Sequence, residues 1–332
     1  MDNPSNRKIL LLLLFLSVYA WAGSRYRLSK WGVAAGHYSG ITSLGQGHYA
    51  VVSDKDVGLP FHVWQVDMDS LSGKIRDIRD VTATVVSSPQ RQGDSRDVEG
   101  IVYCPQRGTL FTSGEADQRI LEYRTDGSLT GAELPVPVQF GVERIQANRG
   151  FEALGYDNLH RVFWTCVESP LKNEATEGRL TLLQFRMTNA ETDGKGWCEV
   201  DTSVVYTLSE PQARKSGRDY YHGVAAITPL PDGSLLLLER EALITRSGSG
   251  SRCWVCLFQF WPQTGRKELV GEWRSRFTPF NTRFANYEGM CLGPVLKDGT
   301  QTLLLVSDSQ GRYGRGPWHL KDFVRVVRLP KL

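Results

Sequence analysis

Short apolar runs alternate with turns rich in Gly, Pro, Asp and Asn along almost the whole chain. One short phrase, in which an apolar or aromatic residue precedes a polar, a small and an aliphatic residue, occurs five times. The copies are Tyr38-Ser39-Gly40-Ile41, Val98-Glu99-Gly100-Ile101, Phe151-Glu152-Ala153-Leu154, Tyr221-His222-Gly223-Val224 and Tyr287-Glu288-Gly289-Met290. Each copy is followed by a turn and by a second apolar run, which predicts a β-hairpin repeated five times.

The second run of every hairpin ends in a carboxylate. These acids are Asp54, Glu115, Glu168, Glu239 and Asp308, and they follow the polar residue of the phrase by 15, 16, 16, 17 and 20 positions. A hairpin turn of variable length explains the drift in spacing.

Two more candidate strands follow each hairpin except the last. The last unit has only Val324–Leu329, whereas the N-terminal segment Tyr26–Ala35 has no unit of its own. Four strands in a unit of roughly 62 residues are typical of a propeller blade. We therefore predict an all-β fold, a single β-propeller of five four-stranded blades closed by the N- and C-terminal strands. Six blades are the alternative, if the long third unit, Phe151–Arg218, contains another sheet.

Composition excludes several classes of protein. The 332 residues are 23% charged and 41% hydrophobic, and 39 basic against 36 acidic residues give a net charge of +3. These values do not fit a disordered chain or a polybasic nucleic-acid-binding arm. We expect a monomer with no nucleic-acid partner.

The N-terminus resembles a secretory leader. Arg7 and Lys8 precede an apolar run from Ile9 to Ala20, and Ala20-Trp21-Ala22 has small residues at the positions read by signal peptidase. We predict a signal peptide over residues 1–22 and a propeller domain over 23–332, located in the periplasm or secreted. An uncleaved anchor is the alternative, but the run has only about 12 residues where a bilayer needs about 20. We expect no stable membrane insertion after cleavage.

The six cysteines favour buried thiols over disulfides. Cys166, Cys253 and Cys256 lie in strand-like apolar runs, where a thiol acts as a small hydrophobe. Cys253 and Cys256 form a C-x-x-C, but three residues along a strand place them on opposite faces, and no second pair completes a zinc site.

The first strand of each propeller blade lines the central channel, so the polar residues of the phrase should form a ring. Several carboxylates in one ring repel one another unless a cation lies among them. Because oxygen ligands favour Ca²⁺ over Zn²⁺, we expect one or more calcium ions as the cofactor. Alternatively the glutamates cap turns or bind water, and His222 hydrogen-bonds within the wall. The predicted metal ligands are Ser39, Glu99, Glu152, His222 and Glu288.

The acids that end the second strands should form another ring at the mouth of the channel, and they are the catalytic candidates: Asp54, Glu115, Glu168, Glu239 and Asp308. Basic residues near them in sequence are expected to form a rim that binds a phosphorylated small-molecule substrate. The predicted rim residues are Lys55, Arg119, Arg149, Arg240 and Arg312. The alternative is that each base is a solvated loop charge in an ordinary ion pair at the surface.

No G-x-S-x-G elbow, P-loop, H-E-x-x-H motif or dinucleotide fingerprint occurs in the sequence. Nucleophilic serine and nucleotide-cofactor chemistry therefore have no local signature here.

The ordered phrases resemble those of the phytase-like family, also described as having the esterase-like activity of phytase. The motifs that carry the resemblance are Ser39-Gly40-Ile41 with Val52-Ser53-Asp54, Val98-Glu99-Gly100-Ile101, Gly150-Phe151-Glu152-Ala153-Leu154, and Tyr287-Glu288-Gly289-Met290 with Val306-Ser307-Asp308. The order and spacing of these motifs are also similar to those of the calcium-activated nucleotidases, which are five-bladed propellers with one calcium ion in the central tunnel. Their ligating positions correspond to Ser39, Glu99, Glu152, the segment from His222 to Ala225, and Glu288. The sequence departs from that pattern at Ala225 and Ala226, where hydroxyl side chains are expected.

The leading hypothesis is a calcium-dependent hydrolase of phosphate esters or anhydrides. Metal-held water would be the nucleophile, Glu115 or Glu168 the general base, and the basic rim the source of charge stabilisation. Two alternatives stay open. One is a non-catalytic calcium-stabilised binding propeller, and the other a metal-dependent hydrolase of carboxylic esters or lactones.

Overall fold

The computed structural model describes residues 23–56, 58–82, 96–146, 149–172, 178–188, 197–213, 219–245, 249–278, 284–311, 314–315 and 318–329. The predicted leader, residues 1–22, and the predicted rim residue Arg312 lie outside these residues.

The described residues form strands almost throughout. After β1 (Ser24–Arg27), the first blade contains β2 (Tyr38–Gly45), β3 (His48–Ser53), β4 (His62–Met68) and β5 (Ile75–Asp80). The second contains β6 (Val98–Cys104), β7 (Thr109–Gly114), β8 (Ile120–Arg124) and β9 (Leu129–Glu133). The third contains β10 (Phe151–Asp157), β11 (Val162–Val167), β12 (Arg179–Met187) and β13 (Cys198–Thr207). The fourth contains β14 (Asp219–Pro229), β15 (Leu235–Ile244), β16 (Arg252–Trp261) and β17 (Arg266–Arg276).

The remaining strands are β18 (Asn286–Val295), β19 (Gln301–Asp308), a small hairpin of β20 (Gly314–Arg315) and β21 (Trp318–His319), and β22 (Phe323–Arg328). Two short 3-10 helices, Leu28–Trp31 and Val138–Phe140, complete the regular structure of the described chain.

Five antiparallel four-stranded sheets form a closed ring. In the first four, strands pair in chain order, and the fifth has the order β1-β22-β19-β18. The innermost strands β2, β6, β10, β14 and β18 pack in succession, and β18 returns to β2. The predicted five-bladed propeller is therefore confirmed, including its closure by both terminal strands. The six-blade alternative is not, since the long third unit contributes one four-stranded sheet in its described residues.

The burial pattern explains the layering of each blade. All six residues of β11 are buried, as expected for a strand covered on both faces. The outer strand β13, by contrast, is mostly exposed. Aromatic side chains fill the wedges of the ring: Tyr38 meets Trp64 edge-on with ring centroids 4.8 Å apart, and Phe111 meets Phe163 between two blades at 4.7 Å. The first contact lies within the first blade, and the second packs the second blade against the third.

All six cysteines are free thiols, as the sequence indicated, and five of them are buried, Cys256 being half-buried. In the part of the chain described here, no helix is long and apolar enough to cross a bilayer.

Candidate active site

A β-bulge in each innermost strand decides which side chain belongs to the channel. In four blades the register between the first two strands skips one residue of the first strand, and a bulge turns such an extra residue out of the ladder. The skipped residues are Ser39, Glu99, Glu152 and Glu288. In the fourth blade the skipped residue is Ala225, between Val224 and Ala226. The inner ring is therefore Ser39, Glu99, Glu152, Ala225 and Glu288, and all five line the narrow part of the channel.

His222 does not belong to this ring. It lies three residues before Ala225, pairs with Glu241 across the hairpin and packs beside the Tyr220 ring, with ring centroids 6.4 Å apart. Burial lowers the pKa of His222, although nearby Glu239 and Glu241 oppose this effect. The sequence analysis placed His222 at the position equivalent to Glu99, Glu152 and Glu288. Ala225 occupies that position instead, because the bulge of this blade occurs three residues later in the strand.

The same register defines the second ring. In each blade, one residue of the second strand pairs with the residue that directly precedes the bulge. The residue that follows this partner along the second strand turns toward the channel. These residues are Asp54, Glu115, Glu168 and Asp308 in four blades, and Arg240 in the fourth. Glu239 instead pairs with Val224 and its side chain points the opposite way, since neighbouring side chains of a strand alternate.

Glu239 is held among partners between the third and fourth blades. Its carboxylate accepts hydrogen bonds from Tyr206, from the Ser209 backbone N–H at 3.1 Å and from the Ser209 hydroxyl, and it forms an ion pair with Lys267. Glu239 is 2% exposed and does not line the channel cavity. Glu239 therefore lies outside the ring predicted for it at the mouth of the channel, and its catalytic role stays a prediction.

Arg240 lies inside the ring of carboxylates, not on the rim where the sequence analysis placed it. Its guanidinium Nη2 donates to Glu168 Oε1 at 2.9 Å and to Glu152 Oε1 at 3.1 Å. Its Nη1 donates to Glu288. Arg240 of the fourth blade is only 6% exposed, so three carboxylates from the third and fifth blades share one buried cation.

A cavity of about 420 Å³ opens above this ion cluster. Eight of the predicted site residues line it: Asp54, Lys55, Glu99, Glu115, Glu152, Glu168, Arg240 and Glu288. The remaining lining residues are mostly apolar or aromatic and come from the fourth and fifth blades, among them Tyr221, Ala242, Ile244, Phe284 and Leu320. The cavity thus has one acidic wall and one apolar wall.

The other predicted rim and mouth residues lie around this cavity or away from it. Arg149 donates to Glu168 Oε2 at 2.6 Å and stacks on the Tyr221 ring at 4.2 Å. Asp308 is buried and accepts from the Gln310 backbone N–H at 2.6 Å. Arg119 is exposed and pairs with Glu133 at 2.7 Å, so it has the ordinary surface ion pair that was the alternative for each base.

Burial and mutual repulsion perturb the acids of both rings. Burial, partly offset by Arg240, raises the pKa of Glu288 to about 7. Burial together with the neighbouring carboxylates raises the pKa of Glu99 well above its usual value, and burial does the same for Glu152 despite Arg240. Burial also raises the pKa of Asp54, and of Glu115 even though Glu115 Oε1 accepts from the Gly150 backbone N–H at 3.0 Å. Arg240 alone therefore does not neutralise the channel.

The remaining negative charge fits a cation with oxygen ligands. Of the residues that line the cavity, seven are acidic and two, Lys55 and Arg240, are basic. One oxygen each of Glu115, Glu152 and Glu168 lies within 4.8 Å of the others, which is the span that ligands of a single ion allow. Hard oxygen donors with room for further ligands suit Ca²⁺ better than Zn²⁺.

The sequence contained a signal for the register of the fourth blade. The run Val224-Ala225-Ala226-Ile227 matches Phe151-Glu152-Ala153-Leu154 at three of its four positions, with a large apolar, a small and an aliphatic residue at the first, third and fourth. Arg240 follows Ala225 by 15 positions, the spacing seen from Ser39 to Asp54. Asn286, which donates to Glu288 at 2.7 Å and lines the cavity, had no such signal.

The fold and the two rings together define a five-bladed β-propeller with an acidic central channel. The family model described as "Phytase-like: Esterase-like activity of phytase" matches residues 33–310. The chain belongs to this phytase-like family.

The chain is similar to several solved structures at low sequence identity. An endo-arabinase from Bacteroides thetaiotaomicron is 11% identical with a TM-score of 0.45, over 90% of this chain and 95% of that one. The periplasmic gluconolactonase of Pseudomonas aeruginosa is 16% identical with a TM-score of 0.36, over 89% of this chain and 74% of that one. An α-L-arabinofuranosidase from Podospora anserina is 9% identical with a TM-score of 0.43, over 92% and 97%. No curated protein matches the chain.

Proposed function

We propose that the protein is a calcium-dependent hydrolase of phosphate esters or anhydrides that acts in the cavity at the mouth of the channel. The observation that carries this proposal is the excess of buried and half-buried acid in the cavity wall, with seven carboxylates against two basic residues. Carboxylates packed this closely are stable as anions only with a cation beside them.

Glu115, Glu152 and Glu168 are the residues that would hold the ion, since their oxygens converge. When bound there, calcium would supply positive charge to a phosphoryl or carbonyl oxygen of the substrate. Asp54 lines the same cavity, and burial raises its pKa, which suits a carboxylate that accepts a proton from water. Lys55 Nζ lies 3.2 Å from Asp54 Oδ2 and 2.5 Å from Asp97 Oδ1. The Lys55 ammonium would thus hold the Asp54 carboxylate, the proposed general base, in position.

A second candidate is an uncharged carboxylic ester or lactone as the substrate. The observation that favours it is that both basic residues of the cavity wall are already paired with acids, Lys55 with Asp54 and Asp97, and Arg240 with three glutamates. The opposite wall is apolar around Ile244 and Phe284 and suits an uncharged organic group.

The test compares hydrolysis by chelator-treated protein with and without added Ca²⁺. Phytate, a nucleoside diphosphate, an aryl phosphate and an aryl acetate are the substrates. Phosphate release that returns with calcium supports the first proposal, and calcium-dependent turnover of the acetate alone supports the second. Silence on all four substrates by folded protein that binds calcium would favour the binding-propeller alternative.

Glu115→Gln is the most informative variant. Its amide oxygen can still accept from the Gly150 N–H, and Glu115 makes no ion pair with Arg240, so the change removes one charged ligand and leaves the ion cluster in place. We expect calcium affinity to fall at least about tenfold, the lower end of the effect of losing even an outer partner of a metal site. Glu133→Gln, at an exposed acid, is the matched control. Equal calcium affinity in both variants would contradict the assignment of the ion to Glu115.

A further inference from the structure

We propose that Arg240 is the built-in cation of this channel, so that a guanidinium group joins the third, fourth and fifth blades and the propeller folds without a metal ion. This role goes beyond the proposed hydrolysis and does not depend on it.

The first support is the position of Arg240 in the repeat. Four blades place an acid in the second ring, and the fourth blade places Arg240 there. The fourth blade also has Ala225 where the third has Glu152. Where the third blade contributes two carboxylates, Glu152 and Glu168, the fourth contributes a methyl group and one positive charge. The exchange of a glutamate for Ala225 and that of an acid for Arg240 both favour a buried guanidinium, since the small Ala225 leaves room beside the carboxylates that Arg240 contacts.

The second support is the set of contacts. The two Nη atoms of Arg240 reach Glu152, Glu168 and Glu288, which come from two blades, and Arg240 itself comes from a third. A planar guanidinium presents several fixed donors and keeps its proton at every pH at which proteins fold. Arg240 therefore bridges blades three, four and five as an axial metal ion would, with charge that no chelator removes.

A consequence for metal binding follows from the geometry. An ion on the channel axis would need the oxygens of Glu152, Glu168 and Glu288 that Arg240 already contacts. Glu115 is the member of the converging trio that makes no ion pair with Arg240 among the described residues. A calcium ion held by Glu115, Glu152 and Glu168 would therefore share two of its three carboxylates with Arg240, and Glu115 is the one that it would hold without that competition.

The experiment measures thermal unfolding and calcium stoichiometry of the full chain and of Arg240→Met, each in chelator and in about 1 mM Ca²⁺, a concentration at which weak calcium sites fill. Arg186→Met is the matched control, because Arg186 forms an exposed ion pair with Asp201. In chelator we expect the unchanged protein to keep its near-ultraviolet circular dichroism and a cooperative transition. We expect Arg240→Met to unfold about 5–10 °C lower, as the loss of one partner from a buried ion cluster implies.

In calcium, the Arg240→Met protein should recover more of its lost stability than the unchanged protein gains, and it should bind one additional ion per chain. Loss of tertiary structure by the unchanged protein in chelator would overturn the proposal, even if Arg240→Met does not fold at all. Equal melting temperatures for Arg240→Met and Arg186→Met would overturn it as well. Neither result bears on whether calcium restores hydrolysis, so the failure of this proposal and the failure of the proposed function are distinguishable.

Discussion

Arg240 and Glu168 occupy the same place in adjacent blades and form an ion pair, with Arg240 Nη2 2.9 Å from Glu168 Oε1. A strict repeat would put two acids there and make the contact repulsive. One exchange of charge in one blade therefore turns a repulsive ring into a partly neutralised one.

Gly100, which follows the inner-ring residue Glu99, should not tolerate a side chain because backbone of the third blade lies close to it. A Cβ at Gly100 would lie 2.6 Å from Ser113 Oγ and 2.7 Å from the backbone oxygen of Glu152 in the next blade. We expect Gly100→Ala to lower the free energy of unfolding in urea by about 2–4 kcal/mol, because backbone must shift. Gly271→Ala is the control, since its Cβ would make ordinary contact with Trp273 at 3.5 Å. Equal urea midpoints for the two variants would show that the backbone at Gly100 can shift to accommodate a methyl group without loss of stability.

Glu122 should stabilise the second blade without any part in function. It is fully buried and accepts from Arg107 Nε at 2.5 Å, Thr109 at 2.5 Å and Thr130 at 2.7 Å. Burial opposes its ionisation, but these hydrogen bonds prevail and hold the pKa of Glu122 below its usual value.

We expect Glu122→Gln to cost about 3 kcal/mol in denaturant unfolding, because Arg107 loses its charged partner. Calcium binding should not change. A loss of less than about 0.5 kcal/mol, the range of ordinary surface substitutions, would mean that the ion pair contributes little.

His62 should make stability fall in alkaline solution. Burial alone lowers its pKa, but hydrogen bonds to Asp56 at 3.0 Å and to Asp80 outweigh burial and raise the pKa of His62 to about 9. The stabilisation is complete below the unfolded value near 6.5 and is lost as pH rises through 9.

We expect the free energy of unfolding to drop by roughly 3 kcal/mol between those limits, as the shift in pKa implies. His62→Gln should remove that part of the pH dependence when urea midpoints are followed from pH 6 to pH 10. A variant with the same slope as the unchanged protein would assign the effect to other groups.

The thiols should resist modification in the folded state. Burial raises the pKa of Cys166 and Cys291 far beyond their usual range, and burial with nearby Glu239 raises that of half-buried Cys256 to about 11. Because the thiolate is the reactive form, we expect Ellman's reagent at pH 8 to react slowly with at most Cys256 and to titrate all six thiols after unfolding. Titration of only four thiols in denaturant would reveal a disulfide.

The blade count and four-fifths of the channel ring could be predicted because the phrase marks the bulge. At Glu99, Glu152 and Glu288 the polar residue before a small residue is the one that the register skips. The hydrophobic pattern on both sides is strong enough to fix the hairpin, and the turn length is free to vary.

The fourth blade could not be predicted in the same way because Tyr221-His222-Gly223-Val224 imitates the phrase three residues too early. A shift of one position in a strand exchanges the two faces of the strand. With the bulge at Ala225 instead of His222, Arg240 therefore faces the channel and Glu239 faces away from it. The run that holds the bulge, Val224-Ala225-Ala226-Ile227, has no polar residue at that position, so the mark that identifies the other four blades is missing there.

The pairing of β1 with β22 joins Ser24 to Val326, residues about 300 positions apart in sequence. During synthesis the fifth sheet can therefore be completed only after β22 has been made, and until then an unpaired strand edge remains in the ring. Such edges invite pairing with other chains. The growing polypeptide thus depends on timely completion, or on a chaperone that covers the open edge, to avoid aggregation.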